Sequence, residues 1–221
     1  IENEKPVGVG FKLHHASRFV PVKIYGSLGR SQALSAAAAE AVGIILGLNL
    51  IEISEALGHY RGPNGRLKII KGIKDSLIID DTYNAAPASM KLALETLESV
   101  PNGRKIAVLG NMLELGNYSY EAHQSIGNLA GEVADILICV GDKGKVIADA
   151  AGNQMPKENI YTFENSVQAK VKVQELVQPG DIVLVKGSQG MRMEKVVEEI
   201  MAEPDNKKEL LVRQSKKWQN T

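Results

Sequence analysis

From Ser76 to Met201 the chain repeats one pattern: a short apolar run, a polar turn, then a stretch with helical spacing. The apolar runs are Ser76–Asp80, Lys105–Leu109, Ile136–Val140, Ile160–Phe163 and Asp181–Val185. The helical stretches are Ala88–Val100, Tyr120–Ala134, Lys143–Ala151, Ser166–Val177 and Met193–Met201. A strand that is buried on both faces reads as a continuous apolar run, because neither set of alternating side chains meets water. Five strand–helix units in a row predict an α/β domain with a doubly wound, mostly parallel sheet. In such sheets ligands bind beyond the carboxyl ends of the strands, so chemistry is expected there.

The chain before Lys74 is less regular. Val7–Leu13 and Val20–Ile24 read as short strands, Ser31–Leu46 as an alanine-rich helix, and Leu50–Leu57 as a second helix. Gly58–Gly65 is a loop by its Gly, Pro and Asn content, and Leu67–Ile70 reads as one more strand. This part is thin and is expected to lean on another surface. The pattern therefore divides the chain into 1–74, 75–204 and a tail at 205–221. The tail carries Lys207, Lys208, Arg213, Lys216 and Lys217 and is expected to be a solvated, frayed helix.

Composition narrows the function classes. The 26 basic and 26 acidic side chains balance, which argues against a protein built to coat nucleic acid. Cys139 is the single cysteine, so no internal disulfide forms and a reducing compartment is expected. No apolar stretch is long enough to span a bilayer, so no membrane insertion is expected. The opening Ile1, without an initiator Met, suggests a piece of a longer chain. His14, His15 and His59 show no metal-ligand spacing, and neighbouring strand residues such as His14 and His15 point to opposite faces.

Three of the expected strands run into unusual polar loops: Asp80-Asp81-Thr82-Tyr83-Asn84, Gly110-Asn111-Met112-Leu113-Glu114-Leu115-Gly116 and Lys186-Gly187-Ser188-Gln189-Gly190. Each has a bland explanation. Asp80 and Asp81 could serve a helix start with Asn84 or Ser89 as cap, Glu114 could be a solvated charge, and Lys186 could pair at the surface. His123 could be a capping or exposed residue at a helix start. Jointly, the three loops place carboxylates, amides, an aromatic ring, an ammonium and a hydroxyl along one sheet edge. That mixture suits a zwitterion or a nucleotide, with Tyr83 able to stack on a base. No G-x-x-x-x-G-K-[ST] and no strong G-x-G-x-x-G is present, so a triphosphate cradle would come from another segment.

These strings resemble the Mur ligase family, in its D-alanyl-D-alanine-adding branch. Ile79–Met90 resembles the first signature, Val108–Gly116 the second, and Val185–Ser188 with Met193-Glu194 the last; His123 and Gly65-Arg66 fall at the family's spacing. The resemblance covers about residues 5–203. It implies a Rossmann-like last domain at 75–204, preceded at 1–74 by the end of a central ATP-binding domain. It implies an amide ligase of peptidoglycan synthesis that uses ATP and Mg2+ and passes through an acyl phosphate. Its partners would be UDP-N-acetylmuramoyl-tripeptide and D-alanyl-D-alanine, in the bacterial cytoplasm, with the protein a monomer and inactive as this piece alone. By the same resemblance, Arg66, Asp81 and Tyr83 would contact ATP, Asp81 at the ribose. Asn84, Asn111, Glu114, Lys186 and Ser188 would line the dipeptide pocket. The sequence departs from the family where Asn111 replaces Asp and where Ser31 and Ser35 replace the His and Asn of the central helix. Two other readings stand beside this one: a related ligase with another amino substrate, of the folylpolyglutamate or cyanophycin type, and a non-catalytic binding module.

Overall fold

The computed structural model describes residues 5–219, which form two compact units, the first ending at Pro63 and the second beginning at Asn64. In the first unit β1 (Gly8–His15) and β2 (Arg18–Tyr25) form an antiparallel hairpin. Helices α1 (Ser31–Ile45) and α2 (Leu50–His59) follow. Asn49 starts α2 with a capping box: its side chain accepts from the N–H groups of Ile51 and Glu52, and the Glu52 carboxylate accepts from Asn49 N–H. The core of this unit is Leu13, Val22, Ile24 and Ala36, while Leu34, Ile45, Leu46 and Ile51 are exposed.

The second unit holds one six-stranded sheet. Its strands are β3 (Lys68–Lys71), β4 (Leu77–Asp81), β5 (Lys105–Gly110), β6 (Ile136–Val140), β7 (Ile160–Phe163) and β8 (Ile182–Lys186), in the spatial order β3-β4-β8-β5-β6-β7. All neighbours are parallel except β3, which pairs antiparallel with β4. The expected doubly wound, mostly parallel sheet is therefore present. The division of the chain by packing falls after Pro63, ahead of Lys74, because β3 hydrogen-bonds along β4 and belongs to this sheet.

Helices α3 (Pro87–Ser99), α4 (Ser119–Val133) and α5 (Gly144–Ala151) pack side by side in one layer, and α6 (Ser166–Leu176) packs on α7 (Glu194–Ile200) in the other. Strand side chains alternate between the layers. Ile78, Val108, Ile138, Val183 and Val185 meet Val173 of α6 and Val197 of α7. Ile79, Leu109, Leu137 and Leu184, all fully buried, take the opposite parity. Cys139 is buried among these residues, and burial pushes its thiol well above the usual range. Pro87 occupies the first turn of α3, where its missing N–H costs nothing. Ser89 Oγ accepts from Ala86 N–H at 3.0 Å, so Ser89 closes this helix start rather than Asn84.

The tail corrects the frayed-helix expectation. Its short helices α8 (Lys207–Leu210) and α9 (Lys216–Gln219) flank Leu211, which is buried in the core beneath α6 and α7. Burial of one leucine and the guanidinium of Arg213, described below, outweighs the solvation of the surrounding lysines.

Candidate functional site

Strand β4 ends with two carboxylates, and the two-residue period of a strand sends them to opposite faces. Asp81 lies in register with Lys186 on β8. Lys186 Nζ donates to Asp81 Oδ2 at 2.6 Å and to the Asn84 carbonyl at 3.0 Å. Asp81 Oδ1 accepts from Leu67 N–H at 3.2 Å. Only 1% of the Lys186 side chain and 9% of the Asp81 side chain are exposed, so this is a buried ion pair rather than the surface pair considered above. Burial holds the Lys186 ammonium below the usual lysine range, against the pull of Asp81. The lysine is therefore engaged with protein groups, and its charge is balanced on the spot.

Asp80 faces the α6–α7 layer and is fully buried. Its Oδ1 accepts from Thr82 N–H at 3.2 Å and Thr82 Oγ1 at 2.6 Å, while Oδ2 has no hydrogen-bond partner. Burial pushes its carboxyl up to about 6, against the two Thr82 hydrogen bonds. Neither aspartate caps α3.

Ser188 ties the three polar loops together. Its Oγ donates to the Ala85 carbonyl at 3.2 Å and accepts from Leu113 N–H at 2.9 Å, and its own N–H donates to the Asn111 carbonyl at 3.0 Å. The preceding Gly187 permits this closeness: a Cβ there would sit 2.7 Å from Met193 Cγ and 3.1 Å from the Gly110 Cα. The carboxyl ends of β5 and β8 thus touch backbone to backbone.

The Gly110–Gly116 loop is held from beneath by His123. This side chain is fully buried on α4, neither exposed nor a cap. Nε2 accepts from Met112 N–H at 2.9 Å, so the proton sits on Nδ1, which donates to the Ser119 carbonyl at 2.6 Å. Burial, chiefly, keeps the ring below the usual histidine range. Asn111 turns toward the end of β6: its amide donates to Asp142 and its Oδ1 accepts from Lys143 N–H at 3.1 Å. Glu114 is exposed and adopts φ +65°, a left-handed conformation uncommon for a residue with a Cβ. Beyond β6 and β7 lies an open cleft of about 640 Å³ lined by Gly141, Asp142, Lys145, Thr162, Phe163, Glu164 and Gln168.

Arg66 and Tyr83 form the other flank. The Arg66 guanidinium lies 4.2 Å from the centre of the Tyr83 ring. Tyr83 is 49% exposed, so a planar ligand can stack on the ring or continue the stack over Arg66. Of the sequence-selected residues, Asp81, Lys186, Ser188 and the Asn84 backbone converge in one hydrogen-bonded group. Arg66 and Tyr83 flank it, and the side chains of Asn84 and Glu114 are exposed. Asn111 joins through its carbonyl, while its amide serves Asp142. Sequence reasoning passed over Asp142 and Glu194 as charge partners and read Arg213 only as a solvated tail charge. Glu194 is buried and paired with both Arg192 and Arg213, a contact between distant segments that no local spacing signals.

Comparison with known proteins places this geometry. A family profile described as "Mur ligase, glutamate ligase domain" matches residues 65–189. The UDP-N-acetylmuramoyl-tripeptide–D-alanyl-D-alanine ligase of Bacillus subtilis is 31% identical over 188 residues, which is 84% of this chain and 40% of that protein. The Escherichia coli ligase of the same name is 31% identical over 76% of this chain and 36% of its own length. Among solved structures, MurF from Acinetobacter baumannii superposes with a TM-score of 0.76 at 30% identity, covering 88% of this chain and 43% of that one. MurF from Thermotoga maritima in complex with ADP superposes with a TM-score of 0.68 at 27% identity, covering 82% and 40%. The chain thus spans about two fifths of the length of the relatives it matches. The profile covers the sheet, the first two polar loops and the third as far as Gln189, and on that match the chain belongs to the Mur ligase family.

Proposed function

We propose that this chain forms part of an ATP-dependent amide ligase that adds D-alanyl-D-alanine to UDP-N-acetylmuramoyl-tripeptide in peptidoglycan synthesis, in the bacterial cytoplasm. The observation that carries the reading is the convergence of three signature-like loops on one sheet edge, joined through Ser188 and the Asp81–Lys186 pair. In this reading the unit ending at Pro63 closes a central ATP-binding domain, and the sheet unit from Asn64, β3 included, is the last domain, with 205–221 as its basic tail. The tripeptide carboxylate takes the terminal phosphoryl group of ATP to become an acyl phosphate, releasing ADP, and the dipeptide amine then attacks the acyl carbon to form the amide, releasing phosphate and a proton.

The residues suit positioning more than phosphoryl chemistry. Arg66 and Tyr83 offer a stacking surface for a base, and Asp81 has a lone pair left on each oxygen for a ribose hydroxyl. Lys186 is neutralised by Asp81 and acts by fixing the Asn84 turn rather than as a free phosphate ligand. Glu114 and the cleft beside Asn111, with Asp142, Glu164 and Lys145, present both charge signs to a zwitterionic dipeptide. Among the described residues no three His, Cys, Asp or Glu side chains converge, so these residues do not by themselves cage a Mg2+ ion. No helix of the described residues is long and apolar enough to cross a membrane. We take the protein to act as a monomer without nucleic acid.

Calorimetric titration tests the pocket. D-Ala-D-Ala is expected to bind the chain more tightly than L-Ala-L-Ala or glutamate, and Glu114→Ala is expected to weaken it. Tighter binding of glutamate would favour a ligase with another amino substrate, an alternative kept open by the glutamate ligase description of the matched family. The chain alone, given ATP, UDP-tripeptide and D-Ala-D-Ala, is expected to release no phosphate, because it carries no triphosphate loop. Release above background would overturn that expectation.

A further inference from the structure

The tail lies beyond residues 65–189 of the family match, and the function above does not use it. Its contacts are nonetheless concentrated on one small target. Arg213 reaches the turn after β4: Nη1 and Nη2 each donate to the Thr82 carbonyl at 3.0 Å, and Nη2 donates to the Tyr83 carbonyl at 2.6 Å. Nη1 also donates to Glu194 Oε2 at 2.9 Å, which anchors the guanidinium to α7. Arg192 holds the other Glu194 oxygen at 2.7 Å and donates to the Trp218 carbonyl at 2.7 Å. In the turn before β3, Asn64 donates its amide to the Glu209 carbonyl at 2.8 Å and the Leu211 carbonyl at 3.3 Å. Val212 packs on Gly65, where a Cβ would sit 2.8 Å from Val212 Cγ1 and 2.9 Å from Tyr83 N. Gly65, at φ +68°, in turn accepts the Tyr83 N–H at 3.1 Å.

The tail therefore grips residues 64, 65 and 82, which precede Arg66 and Tyr83 in the chain, and the backbone of Tyr83 itself. Arg213 itself adopts φ +59°, a backbone conformation that persists in a non-glycine residue where the surroundings over-determine it. Only 5% of its side chain is exposed. A guanidinium can fork to three acceptors at fixed angles, whereas an ammonium acts as a point charge.

We propose that the C-terminal segment from Pro204 to Trp218 is a strap that presets the Arg66–Tyr83 stack, with Arg213 as its positioning residue. That this stack receives a nucleotide base rests on the function proposed above; the strap does not. By holding the turn in its ligand-ready shape before binding, the strap removes an ordering cost from the binding step.

The test uses the 221-residue chain with no nucleotide or dipeptide present, so its failure leaves the ligase reading untouched. Two NMR signals are followed. One is hydrogen exchange at the Tyr83 amide, with the sheet amides of Val108 and Leu184 as controls. The other is the ring-current shift that Tyr83 imposes on the Arg66 side-chain protons. In Arg213→Ala the Tyr83 amide is expected to exchange about tenfold faster, the Arg66 shift to collapse, and the control amides to stay as in wild type. Arg213→Lys, which retains a charge for Glu194, is expected to restore the fold fully and both signals only in part. The proposal is overturned if Arg213→Ala leaves both signals unchanged, or if it speeds all the sheet amides by the same factor. Should Arg213→Ala not fold, wild-type signals in Arg213→Lys would overturn it equally.

Discussion

At the end of β4 the two faces of the sheet meet the same problem and resolve it differently. Both Asp80 and Asp81 are buried. On one face Asp81 has an ammonium at 2.6 Å and a backbone N–H. On the other, Asp80 has two hydrogen bonds from Thr82 and one oxygen with no partner, and its carboxyl is pushed up to about 6. The paired carboxylate joins the site to the next strand. The under-partnered one carries a cost that varies with pH. Neighbouring identical residues thus differ in role because parity assigns them different surroundings.

Removing the partner from the paired face should have the largest effect. Lys186→Ala leaves Asp81 buried without its cation and frees the Asn84 turn, so a loss of about 3–5 kcal/mol is expected in urea unfolding. Asp81→Asn combined with Lys186→Met removes both charges and should lose far less. If the single variant loses as little as the double, the pair is not what holds this face.

The opposite face should respond with the opposite sign. The folded-state pKa of Asp80 lies above its ordinary 3.8, so its contribution to stability is full below that value and is lost as pH rises through about 6. Asp80→Asn keeps an acceptor for Thr82 and removes the buried charge. Its advantage over wild type should be absent near pH 4 and grow to at most roughly 3 kcal/mol above pH 6, as read from unfolding across that range. A constant difference across the range would show that Asp80 does not titrate as its burial implies.

The smallest effect is expected on the far side of β8, at the second loop. His123 is neutral and its folded-state pKa is lowered by burial, so its contribution is full above the ordinary 6.5 and is lost as pH falls below it. Protonation would also end the Met112 N–H bond, because Nε2 would become a donor. Thermal unfolding should therefore show stability dropping on acidification in wild type and a flatter profile in His123→Gln, a difference of about 1 kcal/mol. Equal slopes for the two proteins would remove His123 from the account.

Much of the architecture was legible from residues. The five apolar runs are the five parallel strands, because strands buried on both faces leave no polar alternation. The alternation rule alone sends Asp80 and Asp81 apart. What stayed hidden depends on partners far along the chain. Leu67–Ile70 reads as a strand, but its place on the six-stranded sheet, as Lys68–Lys71, comes from pairing with β4. The lysine-rich tail reads as solvated because composition weighs many charges, whereas one buried Leu211 and one buried Arg213 decide its course. His123 reads as a helix-start residue, and only the position of the Met112 N–H turns it into the support of a loop.

By itself the sequence determined the α/β alternation, the carboxyl edge at which polar residues collect, and the signature-like strings that place the chain in its family. Those are local properties: periodicity, strand parity and short ordered motifs. Only the tertiary structure decided that Lys186 is spent on Asp81, that Asp80 is left with an unsatisfied oxygen, and that the tail returns to clamp the turn beside Tyr83. Each of these depends on which groups are brought together out of water, and that is set by the packing of segments roughly a hundred residues apart.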